Sequence, residues 1–344
     1  MREVSIGDRK VGDGNPCLIM MEAGATHTGL ESAKQLAQAA ADGGADAIKF
    51  QTIDTEKLMA VRDTEVEYTT AGATKTELVY DALKRRELTP DEWRELKRFC
   101  DALGLLFIST PSDEQTVDLL VDIGVHGIKV AKADVNHFYL VDYIARTGKP
   151  VFLDGRERYE DVERNVEICE SHGVKDIVIM HCPSGYPTKD AGVHLSVIPH
   201  VKGLFGYPVG YADHSVGAVM NHAAVALGAN VIEKTITLDR GTDAVEHYMS
   251  LEPGEVPEFV RSIRSVEQAM GNPRIIFNSR VEAVNRRSIF AARDIRAGEE
   301  LSIEALAFRR PGIYLSAQHY EAVLGKRLNR DLQQGEPILE RYLE

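Results

Sequence analysis

Two runs decide the fold: Val209-Gly210-Tyr211-Ala212-Asp213-His214-Ser215 and Val231-Ile232-Glu233-Lys234-Thr235-Ile236-Thr237. Each begins as an apolar strand and ends in a polar cluster, and an Ala-rich helical segment lies between them. Buried parallel strands read as nearly unbroken Val, Ile and Leu. Asp, His, Glu and Lys at their C-terminal ends therefore need a reason. In a parallel α/β protein those ends are where chemistry is done.

Six further runs of the same kind precede them: Leu18 to Ala23, Ala47 to Gln51, Leu105 to Thr110, Gly127 to Ala131, Pro150 to Asp154 and Asp176 to Cys182. Helical patterns alternate with them. Leu30, Ala33, Leu36, Ala37 and Ala40 share one face before Gly43-Gly44, and Thr89-Pro90-Asp91-Glu92 is a capping box with proline at the first helical position. Eight strands alternating with helices predict an α/β fold of the (β/α)8 TIM-barrel type. A doubly wound open sheet would carry a glycine-rich phosphate turn after its first strand, and Glu22-Ala23-Gly24-Ala25-Thr26 is not one. A hairpin over residues 1–16 is expected to plug the barrel floor. The polar segment from Thr52 to about Arg86 is too long for a simple connection and is expected to cover a site. The barrel domain is read as residues 1–280, a linker as 281–287, and a small β-rich domain as 288–344. At ~55 residues that last domain is small to stand alone and should pack on the barrel or on a second subunit.

A chain of 344 residues with 44% hydrophobic and 27% charged residues can bury a large core. The formal charge of −13, without any basic run, argues against nucleic-acid binding. Four well-separated cysteines form neither a zinc pattern nor a C-x-x-C pair, and read as free thiols in a reducing compartment. The N-terminus lacks the apolar core of a signal peptide, and no run approaches the ~20 apolar residues of a membrane span. A cytoplasmic protein is expected, with no membrane or nucleic-acid partner.

The strand ends supply Glu22, Lys49, Gln51, Ser109, Thr110, Lys129, Lys132, Asp154, Ser184, Tyr186, Asp213, His214, Glu233, Lys234 and Thr235. Each has an ordinary structural explanation, such as Glu22 serving as a buried partner of Lys49 or His214 as a satisfied core histidine. Their recurrence on all eight strands favours a site. Interior lysines beside hydroxyls suit a carboxylate or phosphate, and a low dielectric strengthens each contact. Gln51 and Tyr186 suit a polyhydroxy substrate.

The ordered motifs Glu22-Ala23-Gly24 with His27 and Gly29, Lys49-Phe50-Gln51-Thr52, Phe107-Ile108-Ser109-Thr110-Pro111 and Ile128-Lys129 carry a family resemblance. So do Gly148-Lys149-Pro150, His181-Cys182, Tyr186-Pro187, Gly210 through Ser215, Ile232-Glu233-Lys234 and Ser250-Leu251-Glu252-Pro253. Over essentially its whole length the chain resembles the sialic acid (N-acetylneuraminate) synthases and their legionaminic, pseudaminic and spore-coat relatives. Its C-terminal segment, with Arg310-Pro311-Gly312, resembles their antifreeze-like (SAF, β-clip) domain. The resemblance implies a domain-swapped homodimer that condenses phosphoenolpyruvate with an N-acetylmannosamine-like sugar aldehyde, giving a 2-keto-3-deoxy sugar acid and phosphate. It assigns Lys49, Thr110 and Lys129 to phosphoenolpyruvate, Gln51, Tyr186 and the other subunit's Arg310 to the sugar, and acidic roles to Glu22 and Glu246. Ser184, Asp213 and Glu233 complete the expected site. It also implies a divalent metal, Mn or Mg, held by histidines after strands seven and eight.

Three positions depart from that pattern. His214 is present, but Thr235 replaces the second metal ligand, and a hydroxyl is a poor ligand beside imidazole. Metal is therefore expected to bind weakly, through water or not at all. Lys132 and Asp154 stand where the family has serines, a cation and an anion that read as a compensated pair. Two alternatives follow: a metal-independent, aldolase-like enzyme in which Lys132 forms a Schiff base with a carbonyl substrate, and a carbohydrate-binding protein that has lost catalysis.

Overall fold

The computed structural model describes residues 2–70, 73–155, 158–271 and 279–344. The chain divides into two compact units, Met1–Gly271 and Asn272–Glu344.

The first unit is a closed barrel of eight parallel strands: β1 (Leu18–Glu22), β2 (Ala47–Thr52), β3 (Leu106–Pro111), β4 (Gly127–Val130), β5 (Val151–Asp154), β6 (Ile177–His181), β7 (Val209–Asp213) and β8 (Val231–Thr235). Neighbours in sequence are neighbours in space, and β8 closes the ring on β1 with Thr235 opposite Glu22. Outward side chains pack under the helices. The helix Pro90–Ala102 buries Trp93, Leu96 and Cys100, and Trp93 stands edge-on to Phe107 of β3, ring centroids 6.5 Å apart. Its capping box, Thr89 with Glu92, satisfies two otherwise orphaned amides, a device that contributes about 1 kcal/mol. All four cysteines are free and buried.

The N-terminal hairpin, Val4–Ile6 against Arg9–Val11, does close the floor. Val4, Ile6 and Val11 join the barrel core, and the Ser5 amide donates to Asp176, just before β6, at 2.7 Å. Residues 52–86, read from sequence as a polar covering loop, instead hold a two-stranded hairpin, Glu65–Thr70 with Ala73–Leu78, and a helix Val79–Lys84.

The second unit has its own core of Ile289, Ile295, Leu301, Leu328, Leu332 and Ile338 around the antiparallel pair Ser288–Ala291 and Leu306–Arg309. The barrel domain was expected to run to 280, but residues 272–278 lie outside the described residues. Most of the expected linker 281–287 is occupied by a helix, Ser279–Asn285, which belongs to this unit.

Candidate active site

The C-terminal mouth of the barrel holds a cavity of about 360 Å³. Glu22, Lys49, Gln51, Thr110, Lys129, Lys132, Asp154, Tyr186, His214, Glu233 and Glu246 all line it. Strand parity explains why. In parallel strands, register partners face the same side, so Glu22 beside Lys49 and Gln51 beside Thr110 both point inward. Lys49, Lys129 and Glu233 come from β2, β4 and β8, as a barrel layer built from alternate strands requires. Gly24 is needed at the exit of β1. A Cβ there would lie 2.5 Å from the Gln51 amide nitrogen and 2.7 Å from Glu22 Oε1.

The lysines are not bare cations. Lys49 contacts the Glu22 carboxylate directly and lies 3.3 Å from Glu233, while Lys129 donates to Glu233 at 2.6 Å. Two ammonium groups and two carboxylates are thus buried as one neutral cluster. Burial pushes Glu233 up, but Lys129 and Lys49 outweigh it and hold the carboxyl well below its usual range. Burial lowers the Lys49 ammonium to about 8, with Glu233 opposing and Lys129 reinforcing. On Lys129 the same burial is overcome by Glu233, which holds that ammonium above its ordinary value.

The compensated pair read from sequence is not formed. Lys132 is half-buried and donates to the exposed Ser184 hydroxyl at 3.1 Å. No carboxylate of a described residue lies within ion-pair distance of it. Asp154 is fully buried on β5, and its charge acts on Lys129 and Cys182.

Asp213, expected among the substrate contacts, does not line the cavity. It is the register partner of Lys234, and both face away from the barrel axis. Its carboxylate accepts from Lys234 at 2.7 Å, Asn221 at 2.6 Å, the Tyr211 hydroxyl at 2.8 Å and the Ser215 amide at 2.8 Å. Every acceptor position is filled. Asp213 therefore anchors the turn that carries His214. Ser184 does not line the cavity itself, and Arg310 is an exposed residue of the second unit.

Among the described residues His214 is the one imidazole lining the cavity. Burial lowers its pKa, with Glu246 and Glu233 opposing, so the ring is neutral and has a lone pair to offer. Its Nδ1 lies 3.4 Å from the Pro183 carbonyl, and its ring stands edge-on to Tyr186 at 5.2 Å. A divalent metal needs more than this. Thr235 supplies no second imidazole, and lysines occupy Glu22 and Glu233. Among the described residues no three His, Cys, Asp or Glu side chains are grouped to hold an ion. The donor set does not fit a protein-held divalent metal. His247, buried after β8, is bonded to Thr237 at 2.7 Å instead.

The hairpin after β2 roofs the cavity and is bolted to the loops after β6 and β8. The Thr69 amide donates to the Tyr186 carbonyl at 2.9 Å, Tyr68 donates to Asp243 at 3.1 Å, and the Val245 amide donates to Glu77 at 2.8 Å. Tyr68, Ala82 and Val245 pack beneath it with Val66 and Tyr186.

The NeuB family matches residues 36–274, more than half of the chain, and the SAF domain matches residues 286–343. The chain belongs to the NeuB family. It is 37% identical over 343 residues to an uncharacterized protein of Methanocaldococcus jannaschii, covering 98% of each chain. It is 31% identical over 347 residues to the N,N'-diacetyllegionaminic acid synthase of Legionella pneumophila, again covering 98% of each. Among solved structures, the N-acetylneuraminic acid synthetase of Leptospira borgpetersenii, in complex with citrate, superimposes with a TM-score of 0.72 at 29% identity, over 81% of this chain and 93% of that one.

Two residues of this NeuB-family site have features that sequence alone did not reveal. Arg86, at the end of the roof, is 4% exposed and lines the cavity. Nothing in its local pattern distinguishes it from Lys84 and Arg85 beside it, which are exposed and half-buried. Glu246 has a left-handed backbone, φ 73°, rare for a residue other than glycine, and this turns its carboxylate toward the cavity. Strain of that kind clusters at functional sites.

Proposed function

We propose that the chain condenses phosphoenolpyruvate with an N-acetylated amino-sugar aldehyde, forming a 2-keto-3-deoxy sugar acid and inorganic phosphate. The supporting observation is that Lys49, Lys129 and Lys132 line one cavity with the Thr110 hydroxyl, in a chain whose relatives include named sugar-acid synthases. Three ammonium groups and a hydroxyl suit a small molecule carrying both a phosphate and a carboxylate. Gln51, Tyr186 and the carboxylate of Glu246 suit the hydroxyls of a sugar. Arg310 of the partner subunit completes that contact in a domain-swapped dimer. The enzyme works in the cytoplasm, where its buried thiols stay reduced.

In this reading the enol carbon attacks the aldehyde carbon while the aldehyde oxygen takes a proton. Lys49, lowered to about 8, is the ammonium best matched to give it near neutrality. Water then adds to the cationic carbon that bore the phosphate, and loses a proton to Glu22 or Glu233. As the C–O bond to phosphate breaks, the remaining hydroxyl gives its proton to the departing phosphate and the keto acid is left. No step is routed through a metal, because the donor set does not hold one. The test is phosphate release from phosphoenolpyruvate that depends on an added N-acetylhexosamine.

One observation favours a second reading. Lys132 faces the cavity without a carboxylate partner among the described residues, as a Schiff-base lysine would. Borohydride trapping with pyruvate that is lost in Lys132→Ala, without phosphate release from phosphoenolpyruvate, would select it. A binding protein without catalysis would give neither signal.

A further inference from the structure

Arg86 follows the roof helix Val79–Lys84 and is buried against the cavity. Its Nε donates to the Ala82 carbonyl, and among the described residues its guanidinium makes no other hydrogen bond. No described carboxylate lies within ion-pair distance. Glu77, an acid of the same roof, is already held by the neighbouring Arg85 through two bonds of 2.7 and 3.1 Å and by the Val245 amide at 2.8 Å. A guanidinium keeps its charge even when buried, and a buried unpaired charge is strongly unfavourable. The same cavity is lined by Val66, Val79, Leu83 and Val245 as well, and apolar lining strengthens an electrostatic contact made within it.

Its position in the mouth matters as much as its charge. The charged and ionisable groups that act on Arg86 are Glu246, which follows β8, Arg85 and Glu77 of the roof, and Tyr186, which follows β6. A second cavity-lining cation without an acid partner among the described residues, Lys132, follows β4 and donates to Ser184 after β6. Arg86 on the roof segment and Lys132 after β4 are thus two cations of one cavity, carried by different elements.

We propose that Arg86 binds an anionic group on the acceptor sugar, so that the preferred acceptor is a phosphorylated or carboxylated aldose and not a neutral one. This rests on the condensation reading for the word acceptor, but the anion site itself does not depend on turnover. A planar guanidinium presenting two terminal nitrogens matches either phosphate or carboxylate bidentately.

Calorimetric titration without turnover tests it. Wild type, Arg86→Gln and Arg86→Lys are each titrated with N-acetylmannosamine, its 6-phosphate and the corresponding uronate, with thermal melts confirming that the variants fold. Wild type should bind one of the two anionic sugars at least about tenfold more tightly than the neutral sugar. The phosphate-to-uronate ratio tells which anion the site takes. Arg86→Gln should abolish that preference while neutral-sugar affinity stays unchanged, and Arg86→Lys should restore part of it. Equal wild-type affinity for all three sugars would overturn the proposal, with or without a folded variant. So would an Arg86→Gln effect confined to phosphoenolpyruvate. If the condensation reading fails, phosphate release is absent while the sugar preference persists. If only this inference fails, phosphate is released without any preference.

Discussion

Lys129 of β4 and Glu233 of β8 meet across the barrel, with Nζ and Oε2 2.6 Å apart. Each is about 5% exposed, so the pair spans the cavity floor in a low dielectric. Lys49 and Glu22 join it and make the floor neutral. An incoming anion therefore meets lysines whose charge is already shared, and it is bound by redistributing those contacts rather than by filling a bare positive hole. Glu233 is the residue on which this arrangement turns, because among the described residues it alone touches both lysines.

Replacing Glu233 by Gln removes one charge from the floor and leaves two buried ammonium groups with a single carboxylate. Breaking a buried pair in this way costs about 3–5 kcal/mol. Denaturant unfolding should show a loss of that size, and phosphate release should fall by at least about a hundredfold. Unchanged stability would mean that water enters the floor and screens it.

Asp213→Asn tests the assignment of Asp213 to the scaffold. Stability should fall by about 2–4 kcal/mol, because Lys234 is fully buried and loses its counter-charge. The KM for each substrate should stay within about threefold of wild type, since the residue does not line the cavity. A large rise in one KM with unchanged stability would return Asp213 to the substrate site.

The pH dependence carries a sign that separates activity from stability. In the folded protein Lys49 titrates at about 8, below its ordinary 10.5. Above pH 8 the floor loses a proton and acquires a net negative charge, so kcat/KM for phosphoenolpyruvate should fall. Over the same window the unfolded chain binds more protons than the folded one, so the contribution of Lys49 to stability rises with pH. Parallel pH series of rate and of unfolding midpoint, each compared with Lys49→Met, should diverge above pH 8.

Metal removal should have little effect. With Thr235 in place of a second imidazole and both floor glutamates paired, exhaustive chelation should leave phosphate release within about twofold of the untreated enzyme. Direct metal analysis of the purified protein should find substoichiometric Mn. Activity abolished by chelator and restored by manganese would show that substrate supplies the ligands the protein lacks.

Much of this site was legible in the chain because barrel chemistry is read from strand ends. Lys49, Lys129 and Glu233 interrupt otherwise apolar runs, and period-two alternation turns all three inward. The same parity, applied residue by residue, turns Lys234 outward between two inward neighbours. Reading the polar cluster at the end of β7 as a block placed Asp213 at the site, whereas its register partner shows it faces the helices. Lys132 and Asp154 stand on adjacent strand ends, yet adjacency in the barrel order did not make them an ion pair. Arg86 was illegible for a different reason. It lies outside the barrel strands, at the end of a roof hairpin and helix whose orientation is set by contacts to Tyr186, Asp243 and Val245, all more than 90 residues away in sequence.

The most direct test of the central claim is inorganic phosphate release from phosphoenolpyruvate by the purified protein, measured with and without an N-acetylhexosamine or its 6-phosphate. Phosphate formation should require the sugar, match a 2-keto acid product mole for mole and disappear in Glu233→Gln. Sugar-independent phosphate release, or none with any of these aldoses while pyruvate is trapped on Lys132, would contradict it.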